Sequence, residues 1–105
     1  MAWDTANTKK AYEKLKATGL FNEDELWTAE HWLEEKAYPF STFTYVGLSP
    51  YKAAKITGYA GNYVQTLCKN GEIDCYTDMF GWRSIPVDEI IALKKKRLAY
   101  LAKKG

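Results

Sequence analysis

One histidine, two cysteines and three prolines among 105 residues leave little room for several kinds of chemistry. A closed zinc site takes four suitable ligands. Cys68 and Cys75 stand seven positions apart with no CxxC, and His31 is far from both. No metal site is expected. Cys68 reads as a small apolar residue on a helix and Cys75 as a strand residue, both reduced. No nucleophile or orienting partner adjoins His31, so it reads as an exposed or core-edge side chain. No catalytic constellation is visible, and the chain is expected to be neither an enzyme nor a carrier of a cofactor. No apolar run approaches the roughly 20 residues that cross a bilayer, so no membrane partner is expected. The opening MAWDTANTKK has no apolar stretch after a basic start and does not read as a signal peptide. The expected compartment is therefore the cytoplasm. Internal repeats, low-complexity segments and Gly/Ser linkers are also missing.

Hydrophobic residues make up 47% and aromatic residues 15%, with 4 Trp and 8 Tyr. That is the composition of a chain able to build a core. The net charge of +2 is unevenly spread. Residues 1–47 hold five lysines against eight acidic residues, a net of −3. Residues 48–105 hold eight lysines and two arginines against five acidic residues, a net of +5. The second half is suited to meet a polyanion and the first is not.

Helical signals come first along the chain. Over residues 8–17, Ala11 and Leu15 share a face and Gly19 follows the end. Asn22 and Glu25 form a capping box, and Phe21 and Leu26 are spaced for a hydrophobic staple. Leu26, Ala29, Leu33 and Ala37 then form a helical stripe that Pro39 stops, with Trp27 and Trp32 as packing residues. Residues 40–47 alternate as a short strand. Ser49 caps a helix that has Pro50 in its first turn and ends at Gly58. A second short helix opens at Gly61 or Asn62 and stops before Gly71. Val64, Leu67 and Cys68 mark its buried face, leaving Asn62, Tyr63, Thr66 and Lys69 turned outward. Residues 73–77 and 82–86 read as strands joined by the loop Asp78-Met79-Phe80-Gly81. A final helix starts at residues 86–88. Its stripe is Val87, Ile90, Ile91, Leu98 and Leu101, and its polar face is Lys94, Lys95, Lys96, Arg97, Lys103 and Lys104.

The order helix, glycine turn, helix, Asn-Gly, hairpin, Ile-Pro, helix resembles the excisionase-type helix-turn-helix family, relatives of the MerR DNA-binding domain. The residues that carry the resemblance are Leu48, Ser49, Ala53-Ala54, Gly58, Val64, Asn70, Gly71 and Ile73, then Trp82-Arg83-Ser84, Ile85-Pro86 and Ile90. They cover about residues 45–92, with no gap from Leu48 to Gly71. Lys52 stands where the family usually has an acid, the second helix has no Arg, and the hairpin has one Arg and also Asp78.

The fold expected is mainly α with a small antiparallel β wing: a winged helix-turn-helix preceded by two N-terminal helices and followed by a C-terminal helix. Residues 1–40 would form a helical extension, and residues 41–105 the module with its basic helix, the two making one compact unit. The resemblance implies sequence-specific binding of double-stranded DNA by an excisionase or transcriptional regulator of a phage or mobile element. Base readout would fall to Asn62, Tyr63, Gln65 and Thr66, since Asn and Gln suit adenine. Lys69 is the one cation of the recognition helix; Arg83 of the wing, with Met79 or Phe80, would reach the adjacent minor groove or the backbone, and Lys94 and Lys95 would meet phosphates. The alternative is a protein-interaction module on the same frame, an antirepressor or an inhibitor of a nucleic-acid enzyme, using the acidic N-terminal helices. About 18 residues of final helix are short for a stable coiled coil, so a monomer or a weak homodimer is expected.

Overall fold

A computed structural model describes residues 6–37, 44–77 and 80–104. Among these residues, five helices and four short strands follow in the order α1 (Ala6–Ala17), α2 (Glu23–Trp32), β1 (Glu34–Ala37), β2 (Thr44–Leu48), α3 (Pro50–Thr57), α4 (Gly61–Lys69), β3 (Tyr76–Thr77), β4 (Arg83–Pro86) and α5 (Val87–Lys104). The protein is thus mainly helical with a small antiparallel sheet in the order β1-β2-β4-β3.

The local signals explain the start of α2 and both ends of α3. Asn22 caps α2: its side chain accepts from the Glu25 N–H at 2.8 Å, and the Glu25 carboxylate accepts from the Asn22 N–H at 2.9 Å. Ser49 caps α3 and Pro50 opens it. Gly58 ends α3 at φ 94°, a left-handed conformation that costs a residue with a Cβ about 1 kcal/mol or more. The first helix begins two residues earlier than its periodicity suggests, at Ala6.

The second helix departs from expectation. The stripe through Ala37 is not one helix: α2 stops at Trp32, Leu33 turns extended (φ −61°, ψ 132°), and Glu34–Ala37 form β1. β1 pairs antiparallel with β2, Glu34 opposite Gly47 and Ala37 opposite Thr44. The ladder competes with the helix for these backbone groups, and a strand lying beyond residue 40 in sequence is invisible to a local helical pattern. A division after residue 40 also falls inside this pairing. The strand expected over residues 40–47 is Thr44–Leu48, and residues 40–43 lie outside those described. β3 and β4 are shorter than expected, at two and four residues, and Cys75 precedes β3 instead of lying in it.

One core joins all the helices. Leu15 of α1, Ala29 of α2, Leu48 of β2, Ala53 and Ile56 of α3, Val64 of α4, Ile85 of β4 and Ile90 of α5 are almost wholly buried in it. Gly47 is what lets β2 approach β4. A Cβ there would lie 2.1 Å from the Ile85 carbonyl oxygen and 2.9 Å from Ser84 Oγ. Val87, Ile90 and Ile91 of α5 are buried, but Leu98 and Leu101 are exposed, so the second half of its stripe is not packed on this core.

Candidate nucleic-acid interface

α3 and α4 are joined by three residues, the first of them the left-handed Gly58, and α4 buries one face only. Val64 and Leu67 point into the core, while Asn62, Tyr63, Thr66 and Lys69 are exposed, as their spacing predicts. The Thr66 hydroxyl donates to the Asn62 carbonyl at 2.9 Å. Gln65 is half-buried at the edge of this face, and its Oε1 accepts from Arg83 Nη1 at 3.1 Å. Arg83 opens β4, so this bond ties α4 to the β3–β4 hairpin and fixes a guanidinium beside an amide. Asn62, Tyr63, Gln65, Thr66 and Lys69 therefore form a polar strip with Arg83 at its flank. The hairpin adds Phe80 and Trp82, 78% and 71% exposed. Asp78 and Met79 lie outside the described residues.

Lys94 does not belong to this surface. Only 7% of it is exposed, and its ammonium bonds Glu25 Oε2 at 2.7 Å, 5.5 Å from the Phe21 ring centroid. The cause lies in its phase. Lys94 falls four residues after Ile90 and three after Ile91, in the gap of the apolar stripe, and so is carried into the α2–α5 contact. Lys95 is exposed on α5.

The cations of α5 that face the α3–α4 turn are Lys96 and Arg97. They line a cleft of about 510 Å³ with Tyr59, Tyr63 and Tyr100. The Arg97 guanidinium lies 5.6 Å from the ring centroids of both Tyr59 and Tyr100, within cation–π range. Tyr59 and Tyr63 are 5.3 Å apart between centroids. Burial, and next the neighbouring Tyr63, push the Tyr59 phenol up while Arg97 draws it down, so it stays a neutral hydrogen-bonding group at neutral pH. The sequence offered no local signal that sets Arg97 apart in the basic run, because its partner Tyr59 lies in the α3–α4 turn, far from it in sequence.

Trp27 and Trp32 are not packing residues, being 55% and 46% exposed. Trp27 stacks on His31, centroids 4.0 Å apart, and His31 Nδ1 is 2.9 Å from the Trp27 carbonyl oxygen. Lys52 Nζ sits 4.0 Å over the Trp32 ring. The free thiols of Cys68 and Cys75 are neighbours. Burial, then the hydrogen bond with Cys68, push the Cys75 thiol up to about 12, and it behaves as a small apolar residue between α4 and the hairpin. Compared with protein-family models, with curated proteins and with solved structures, the chain finds no match in any of the three.

Proposed function

We propose that the chain is a winged helix-turn-helix protein that binds duplex DNA sequence-specifically, as an excisionase or transcriptional regulator does. α4 enters the major groove, α3 buttresses it, and the β3–β4 hairpin is the wing. The observation that carries this reading is the Gln65–Arg83 bond at 3.1 Å, which joins the polar face of α4 to the hairpin as one surface. Asn62 and Gln65 offer the donor–acceptor pair that reads adenine. Lys69 at the end of α4 and Arg83 on the hairpin meet phosphates, and Lys96 and Arg97 join the exposed Lys95 in the role first expected of Lys94 and Lys95. The positive second half of the chain supports the same reading.

A second reading has one observation in its favour: the exposed Trp27 and Trp32 on the acidic helix α2. Exposed indoles are favoured anchors for protein partners. It makes α2 a docking face for a partner protein.

Selection of bound duplexes from a random pool tests the DNA reading. Enrichment of a short motif containing adenine is expected, and Asn62→Ala and Gln65→Ala should each relax it at one position. A pool that stays random after repeated rounds with folded protein contradicts it and favours the α2 reading.

A further inference from the structure

A second cleft, of about 360 Å³, opens between the end of α2, the start of α3 and the hairpin. Its size is at the small end of ligand clefts, which run roughly 300–1,000 Å³. Two indoles line it, Trp32 and Trp82, 46% and 71% exposed, although large apolar side chains gain from burial. Two cations, Lys52 and Arg83, line it with them, against the single carboxylate of Glu34. Gly47, Ser49 and Ser84 complete the lining. Ser84 is 3% exposed, and its Oγ is the buried side-chain oxygen without a hydrogen-bond partner among the described residues. An unsatisfied buried hydroxyl is costly and asks for an explanation. Gly47, on the same lining, lies close to that hydroxyl: a Cβ there would fall 2.9 Å from it and 2.1 Å from the Ile85 carbonyl oxygen.

Flat aromatic walls, two cations and one hydroxyl with spare bonding capacity fit a ligand with a planar ring at one end and a phosphate at the other. We propose that this cleft binds a nucleotide unit, either a free nucleoside monophosphate or an unpaired residue of a DNA strand. The base stacks on indole. The phosphate takes charge-assisted bonds from Lys52 and Arg83 and a hydrogen bond from the Ser84 hydroxyl. The cleft adjoins the face of α4 through Arg83 but does not depend on duplex binding, because the bases of a duplex are stacked and closed to it.

Calorimetric titration of the full chain, with no duplex present, tests the proposal. The probes are adenosine monophosphate, adenosine, inorganic phosphate and a single-stranded oligo-dA of five residues. Adenosine monophosphate is expected to saturate with Kd below about 1 mM. Adenosine and inorganic phosphate should each bind about tenfold or more weakly. Ser84→Ala and Lys52→Ala should each weaken the monophosphate about fivefold in proteins with wild-type melting curves. If the oligonucleotide binds about tenfold tighter than the monophosphate, a strand supplies the nucleotide; equal or weaker binding points to the free form. The proposal is overturned if neither the monophosphate nor the oligonucleotide saturates in the millimolar range. Adenosine binding as tightly as its monophosphate, or both substitutions leaving affinity unchanged, overturns it equally.

Discussion

Lys94→Ala should lower stability by about 2–4 kcal/mol, and Lys95→Ala, one residue on, should change it by less than about 0.5 kcal/mol. Both are lysines in the same run on α5, so charge alone predicts no difference. The difference comes from burial. The Lys94 and Glu25 side chains are 9% and 16% exposed and 2.7 Å apart. Glu25 has two tasks: Oε1 accepts from the Asn22 N–H that closes the α2 cap, and Oε2 accepts from Lys94. Without Lys94, the carboxylate keeps its cap but loses its counter-charge in a site with little water. The loss exceeds the net worth of the pair, since the stranded charge is the larger part of it. Urea denaturation of the two variants checks the difference. Replacing both partners, with Glu25→Gln and Lys94→Met together, should recover much of it. A Lys94→Ala protein as stable as wild type would mean that the α2–α5 contact does not depend on this pair.

Arg83→Ala should reduce affinity for a preferred duplex about tenfold or more while costing the fold no more than about 1 kcal/mol. Arg83 is half-buried and holds Gln65 at 3.1 Å. Its removal takes away a cation on the hairpin and also releases the amide that it orients on α4. Arg83→Lys should recover only part of the affinity, because an ammonium cannot hold an amide and meet a phosphate with the fixed fork of a guanidinium. Gln65→Ala should share part of this loss, so the double variant should lose less than the two single losses combined. Binding isotherms with melting curves alongside decide the matter. Full affinity in a folded Arg83→Ala protein would take the hairpin out of the interface.

What could be read in the sequence was local and short-ranged. The capping box of Asn22 and Glu25, the Ser49-Pro50 start of α3 and the stop at Gly58 each involve residues within four positions, and each stands where expected. The phase of α4 was legible because Val64 and Leu67 leave no other face to bury. Long-range pairing was not legible. β1 exists because β2 lies beside it, and nothing within Glu34–Ala37 announces a strand. Lys94 misled for a different reason. Its chemistry says solvent and its position says core, and position prevails when a partner such as Glu25 arrives from a helix 69 residues away in sequence. Trp27 and Trp32 misled in the opposite sense, since large aromatic side chains usually gain from burial. Each instead meets a polar neighbour at the surface, Trp27 the His31 ring and Trp32 the Lys52 ammonium.

The central claim, that the face of α4 and the hairpin holds duplex DNA, is tested most directly by the salt dependence of binding to a fluorescently labelled duplex. Lys69, Arg83, Lys95, Lys96 and Arg97 would neutralise about five phosphates, so log K should fall linearly against log salt concentration with a slope of about −4 to −5. Lys96→Ala should reduce the steepness by about one, and Lys94→Ala, in protein that remains folded, should leave it unchanged. Absence of binding at 50 mM salt, a concentration at which even non-specific contacts hold, or binding with a slope near zero, would contradict the claim.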